Sequence, residues 1–330
     1  MTNKEMLRYI AITVLAMPID ALAQPSALVP SGANLTVPFA FGNKRVPVWG
    51  GNALLVADGP VVSPNIFMAF NREGRRVFSS GFSIPGASNT SVRSFAIGAD
   101  GVVALCGVSY ASDGRGAPFI ALLSADGNSQ HVTRTEPYTA NLIAVAPDGT
   151  LWTVGRELNP DASEDSGVNL NAGVLRHFDQ DGKSLGAFIP RSSIQDPTHL
   201  STSKGQLAAG ADRVGWLHCD HTGQGAYVEI SSDGKNASFP LPQLPNLRAM
   251  RVGGLAITDA GDVFAEVNNQ DGKTSFSVFV LSRSAGRWLP VKIPASGKWA
   301  LLLGSTGNEL AFNVPGDSYS TIHFFAPDKK

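Results

Sequence analysis

An all-β ring of six repeated units, each a sheet of four antiparallel strands, is the fold this sequence predicts. Three observations predict it. A glycine turn between two short apolar strands recurs along the chain, at Gly50-Gly51, Asp100-Gly101, Asp148-Gly149, Lys204-Gly205, Ala260-Gly261 and Thr306-Gly307. A second glycine turn follows in the first five units, at Glu73-Gly74, Asp126-Gly127, Asp181-Gly182, Asp233-Gly234 and Ala285-Gly286. The sixth unit runs out of chain one strand short.

Each first turn joins matching segments: FAIGADGVVALCG from Phe95, LIAVAPDGTLWTVG from Leu142, LAITDAGDVFAEV from Leu255 and LLLGSTGNELAFNV from Leu301. Glycine takes the positive φ that such hairpin turns require, and the flanking runs have strand length and composition. Two hairpins per unit of about 50 residues give four strands, the size of one propeller blade. A blade cannot bury both of its faces alone, but a closed ring of blades can. The last unit supplies strands around Trp299–Leu303, Glu309–Val314 and Thr321–Phe325 before the chain stops. The apolar stretch Leu35–Phe41 (LTVPFAF) precedes the first glycine turn, and as a closing strand it fills the gap. The expectation is a six-bladed β-propeller over residues 24–330, with seven blades the alternative if residues 24–50 hold a degenerate one.

Composition agrees with this. Hydrophobic residues make up 43% and charged residues 16%, with 35 Gly and 21 Pro, so a large core and many tight turns are expected. A formal net charge of −1 excludes bulk-charge recognition of nucleic acid or an anionic membrane. At the start, Lys4 and Arg8 precede a short apolar run, Tyr9–Met17; Pro18 breaks it, and Ala21-Leu22-Ala23 is a small-x-small cleavage pattern. Residues 1–23 therefore read as a signal peptide, and the protein is expected in the periplasm or outside the cell. The apolar run is far shorter than the roughly 20 residues of a membrane span, and no later segment is long enough. Cys106 and Cys219 fall in different units, so they are expected as buried thiols and not as a bridge.

The repeat resembles blades of the six-bladed propeller superfamily that includes NHL-repeat proteins, TolB-like propellers and lactonases similar to senescence marker protein. It carries neither the Gly-His…Trp-Asp signature of WD40 blades nor the paired glycines of kelch blades. The resemblance implies that a lactonase would hold a divalent cation at the channel with carboxylate and Asn side chains. Here Asn141 fits, but the equivalent positions supply no carboxylate and Asp196 is the nearest.

In a four-stranded blade the first and third turns lie on one face, while the second turn and the blade-to-blade connection lie on the other. The short glycine turns make the first face regular, so function is expected on the variable one. Counting back from the first-turn glycines to the starts of the innermost strands gives Arg45, Arg93, Asn141, His199, Arg251 and Lys298. If they point inward they form an electropositive channel mouth suited to a carboxylate, sulfate or phosphate. Other candidates lie nearby. The insertion Gly155–Gly173, with Glu157, Asp161, Glu164, Asp165, Asn169 and Asn171, offers oxygen ligands for Ca²⁺ but in no recognised calcium-loop spacing. His218-Cys219-Asp220-His221 is the densest set of metal-ligating side chains, with His199 a third imidazole if the loop folds back. No Gly-x-Ser-x-Gly elbow is present.

The functional expectation is a secreted, non-catalytic, monomeric propeller that binds a small anionic ligand or a protein partner through its loop-rich face, with no cofactor. The alternatives are a metal-dependent hydrolase or lactonase using His199, His218 and His221, or an assembly role in the envelope.

Overall fold

The computed structural model describes residues 27–37, 47–59, 65–158, 167–194, 202, 205–219, 225–242, 250–269, 276–294, 300–315 and 319–328. Residues 1–23, read as a signal peptide, lie outside them, as do Arg45, His199, His221 and Lys298 and the side chain of Arg251.

Six antiparallel sheets follow one another along the chain. Strands β1 (Ala27–Pro30) and β2 (Leu35–Val37) come first but belong to the last sheet. Blade 1 is β3 (Val48–Gly50), β4 (Ala53–Asp58), β5 (Ile66–Asn71) and β6 (Arg76–Gly81). Blade 2 is β7 (Asn89–Ile97), β8 (Val103–Tyr110), β9 (Gly116–Leu123) and β10 (Gln130–Arg134). Blade 3 is β11 (Tyr138–Val145), β12 (Leu151–Glu157), β13 (Gly173–Phe178) and β14 (Ser184–Pro190). Blade 4 is β15 (Gln206–Ala209), β16 (Arg213–Cys219), β17 (Gly225–Ser231) and β18 (Asn236–Pro240). Blade 5 is β19 (Met250–Ile257), β20 (Val263–Asn269), β21 (Phe276–Ser282) and β22 (Arg287–Val291). Blade 6 is β23 (Leu301–Thr306), β24 (Glu309–Pro315) and β25 (Ser320–Asp328), completed by β1 and β2. The first strands of the six blades touch in sequence order, and β23 returns to β3, so the ring is closed around an axis lined by those strands. The described residues thus form a six-bladed β-propeller.

The core explains why the strands read as near-continuous apolar runs. It divides into six hydrophobic clusters, and each lies in one seam between neighbouring blades. Phe67, Phe95 and Phe119 fill the first seam, Trp216 and Val174 the third, and Phe264 and Phe312 the fifth. Both faces of an inner strand are therefore buried, as in β8, where all residues from Val103 to Ser109 are buried.

Closure is built as the missing strand implied, and it begins earlier in the chain than expected. Strand β2 pairs with β25 from Leu35↔Ile322 to Val37↔Ser320, and β1 extends the pairing from Ala27↔Asp328 to Pro30↔Phe325. The expected strand 35–41 is thus strand over 35–37, and 38–41 lie outside the described residues. At the break between β1 and β2, Arg72 of blade 1 donates to Glu309 of blade 6 at 2.6 Å and to the Ser31 carbonyl at 2.6 Å. Ser31 Oγ donates to the same carboxylate, and the Arg72 guanidinium lies 4.3 Å from the centre of the Phe324 ring.

One glycine turn was misplaced by the sequence pattern. Lys204-Gly205 is not the first turn of blade 4, because Gly205 precedes β15 and the turn to β16 is Gly210–Arg213, closed by a 2.8 Å bond from Gly210 N–H to Arg213 O. Gly205 has φ +110°, and a Cβ there would stand 2.3 Å from the Leu217 carbonyl oxygen, so close backbone approach demands this glycine. Gly51, Gly101, Gly149, Gly261 and Gly307 of the first turns and all five third-turn glycines sit at positive φ as expected, while Gly50 ends β3. Cys106 and Cys219 are both buried and not bridged. No described helix is long and apolar enough to cross a membrane.

Glu309 tests the closure. Burial works against its ionisation, but bonds from Ser31 and Arg72 outweigh it and hold the carboxyl below its ordinary value. A depressed carboxyl stabilises the fold above the unfolded-state value and loses that contribution as pH falls through the folded one. Glu309→Gln should therefore cost about 1–2 kcal/mol at pH 7 in urea unfolding, and the gap to wild type should shrink as pH is lowered below about 4.

Candidate functional site at the channel

The inner strands leave a cavity of about 260 Å³ on the axis toward the glycine-turn face. Its wall mixes apolar side chains such as Trp49, Ala96, Ala144 and Leu303 with polar ones such as Asn52 and Ser94. On β7 and β11 the lining begins at Ser94 and Leu142. The residues just before them, one step toward the loop-rich face, are Arg93 and Asn141.

Both residues stand out of the ladder. Pairing of β7 with β8 jumps between Val92 and Ser94, and pairing of β11 with β12 jumps between Ala140 and Leu142. Arg93 and Asn141 are thus the extra residues of two β-bulges, which re-aim a side chain that regular pleating would send into a seam. Glycine makes the bulges possible: a Cβ on Gly107 of β8 would meet the Ser91 carbonyl oxygen at 2.0 Å, and one on Gly155 of β12 the Thr139 oxygen at 2.2 Å.

The bulged side chains form a hydrogen-bonded chain across three blades. Arg93 Nη1 donates to Asn141 Oδ1, and Asn141 Nδ2 donates to Thr202 Oγ1 at 2.6 Å. Arg93 can only donate, which fixes the Asn141 amide with its oxygen toward Arg93 and its nitrogen toward Thr202. The Thr202 hydroxyl, accepting from Asn141, keeps its own proton to give. Asn141 and Thr202 are buried and Arg93 is half-buried. Arg72, Arg176, Arg213 and Arg283 each pair with a carboxylate, but among the described residues Arg93 does not. The layer presents donors in excess of acceptors around a fixed positive charge.

Of the six positions read from the sequence, the structure brings Arg93 and Asn141 together. Each lies four residues before the last paired residue of its strand, Ile97 or Val145. The same count gives Gly205 before Ala209 and Gly253 before Ile257. Arg251 lies in β19, two residues before that level. Thr202 was missed because it precedes β15 with no motif around it. An interior Gly in the apolar strands VALCGVSY and LWTVGRE was the available signal for the bulges.

The remaining candidates resolve differently. His218 and Cys219 end β16 and are both buried on opposite faces; His218 stacks on Trp216 with ring centres 4.3 Å apart, while Cys219 packs in the fourth seam. Asp220 and His221 lie outside the described residues, and among those described no group of three or more metal-ligating side chains occurs. In the acidic insertion, Glu157 pairs with Arg176 and accepts from Asn169 Nδ2 at 3.1 Å, while residues 159–166 are not described.

The most charged buried cluster, in the seam of blades 4 and 5, is saturated. Glu229 accepts from Arg283 Nε and Nη2 at 2.8 Å each, from Arg213 at 3.2 Å and from Tyr227 Oη at 2.9 Å. Burial opposes ionisation of Glu229, but Arg283, Tyr227 and Arg213 together hold the carboxyl below its ordinary value. A carboxylate with four donors has no lone pair to spare for chemistry and serves the seam. Glu229→Ala leaves Arg283 without its carboxylate, Arg213 with Asp212 alone and the buried Tyr227 hydroxyl without its acceptor. It should cost about 3–5 kcal/mol, measured as the shift of the urea midpoint at unchanged slope.

No family model and no curated protein match this chain. Solved structures are similar in outline. They include a polysaccharide lyase, ulvan lyase, with a TM-score of 0.43 and 12% identity over 92% of this chain and 84% of that one. The soluble aldose sugar dehydrogenase of Escherichia coli scores 0.46 at 10% identity over 93% of this chain and 97% of that one. A glucose dehydrogenase scores 0.43 at 12% identity over 92% and 96%. Likeness at this level carries no argument about what this chain does.

Proposed function

We propose that this propeller is a binding protein for a small anionic ligand, held at the loop-rich mouth of its channel by Arg93, Asn141 and Thr202. One observation carries the reading: Arg93 is aimed out of its strand by a bulge, and its bond to Asn141 leaves its charge without a carboxylate partner among the described residues. A guanidinium has five donors in a planar fork that matches carboxylate, sulfate and phosphate oxygens. Asn141 fixes the fork, and Thr202 adds a hydroxyl donor. A half-buried site strengthens such bonds relative to open water. The export pattern at residues 1–23 belongs to the same proposal and puts the ligand outside the cytoplasm.

Thermal shift measured with acetate, sulfate, phosphate and citrate tests it. One of these anions should raise the melting temperature of the wild type. Arg93→Gln should weaken its binding by roughly 30-fold, the loss of about 2 kcal/mol of charge-assisted hydrogen bonding. Thr202→Val should lose less. A wild type that responds to none of them, or an Arg93→Gln protein that responds equally, would sink the reading.

A further inference from the structure

The seam between blades 5 and 6 holds a carboxyl group that the anion site does not use. Glu266, at the centre of β20, has 0% exposure. It lies opposite a bulge in β19: Val252 pairs with Val267 and Leu255 with Ala265, so Gly253 and Gly254 together face Glu266. Its Oε2 accepts the backbone N–H of Leu302 on the neighbouring inner strand, β23. Its Oε1 is buried and has no hydrogen-bond partner among the described residues. That oxygen occupies the space of a missing side chain, because a Cβ on Gly253 would stand 2.3 Å from it. Gly254 brings the two inner strands together in the same place, where a Cβ would meet the Leu302 carbonyl oxygen at 2.2 Å. The apolar side chains of the seam include Ala256, Phe264, Val278, Val280, Leu310 and Phe312.

No charged side chain among the described residues pairs with Glu266. Among the described residues β21 and β23 carry no acidic, basic or imidazole side chain, and Glu309 of β24 is engaged by Arg72 at the other end of its strand. The side chains of Arg251 on β19 and of Lys298 before β23 lie outside the described residues. Burial pushes the Glu266 carboxyl up to about 8, against a smaller opposite effect of the Leu302 N–H. In the closed seam the neutral acid is tolerable, whereas a carboxylate there would leave one oxygen without a donor.

We propose that this seam is a proton-coupled gate in the wall of the channel: it opens between β19 and β23 as Glu266 releases its proton to water, and closes as Glu266 takes one up. Opening breaks the Leu302 N–H bond to Oε2 and lets water solvate both carboxyl oxygens. The opened seam then behaves as an ordinary exposed carboxyl. The sign follows from linkage: the closed state holds the proton up to the raised value, so opening becomes easier as pH rises from the ordinary carboxyl range toward about 8.

Amide hydrogen exchange at Leu302 and its neighbours, followed on the whole protein from about pH 5 to pH 9, reads the gate directly. For wild type, the opening constant should rise about tenfold per pH unit between about 5 and 8, beyond the chemical exchange rate, and then level off. Glu266→Gln keeps an acceptor for Leu302 and cannot ionise, so its opening constant should be flat. A flat wild-type profile, or a slope that survives in Glu266→Gln, overturns the proposal. Should that variant fail to fold, the infrared carbonyl stretch of a protonated acid decides on wild type alone. The acid band should persist at pH 7 and disappear as pH rises past about 8, and its absence at pH 7 refutes the gate.

Discussion

Every blade of this protein depends on apolar surface that its neighbour supplies. A four-stranded sheet with both faces apolar has no stable existence alone, and burial is worth about 25 cal/mol per Å² of apolar area. The six seam clusters show that no blade has a private core. Leaving the ring open between blades 6 and 1 would expose Trp49, Leu54, Ile322 and Phe324 at once. Stability is thus concentrated in closure, and closure falls to the two ends of the chain. Strand pairing of β1 and β2 with β25 covers the edge, and Arg72 ties the N-terminal strand and blade 6 to blade 1. The cluster is polar where the seam is apolar because the break at Ser31-Gly32 leaves a backbone carbonyl that needs a donor.

A closed ring also crowds its axis. Where neighbouring inner strands approach most closely there is no room for a side chain, and the chain meets this in two ways. Around blades 5, 6, 1 and 2 the strands touch through glycine: Gly254 against Leu302, Gly304 against Trp49 and Gly51 against Gly98. Around blades 2, 3 and 4 the contact passes instead through Arg93, Asn141 and Thr202. The polar arc costs desolvation that glycine contacts do not, and its charge is not neutralised among the described residues. Seams held by glycine need no polar residue at the axis, so the polar arc is not a requirement of the fold.

The sequence made the blade count, the strand order and the closing strand legible because these follow from local chemistry. A positive-φ glycine between two apolar runs signals a hairpin wherever it occurs, and a missing strand is arithmetic. Two kinds of fact stayed hidden. Gly205 looked like a turn glycine because Lys-Gly before an apolar run is indistinguishable from the other turns until the partner strand is known; its reason is the Leu217 carbonyl, which is distant in sequence until β16 folds back. The level of each channel residue was equally uncertain, since a bulge shifts register by one and the count from the turn cannot see it. Arg93 and Asn141 were found because both lie the same distance before their turn glycines, Gly101 and Gly149, and occupy equivalent bulges, whereas blade 5 fills that level with Gly253. Thr202 and Glu266 carried no local sign. One is a lone hydroxyl in a connection, and the other is a single carboxyl within the apolar run VFAEV, whose burial depends on the neighbouring blade.

The two polar features of the channel wall differ in a way that bears on how a ligand would be held. Ring order places blade 2 opposite blade 5, so Arg93 and the Gly253-Gly254 bulge face each other across the axis at one level. On the first side the network is complete and directional: each donor has a fixed place, and the unused hydrogens of Arg93 and Thr202 are what a ligand would meet. A site of this kind binds with little reorganisation, because the amide and guanidinium are already oriented. On the opposite side the carboxyl of Glu266 is withdrawn behind glycine and has one lone oxygen. Drawn out as a carboxylate it would repel an anion held at Arg93. On the proposed reading, the neutral, buried acid is the state compatible with an anionic ligand, and ligand binding and proton retention would favour the same closed ring.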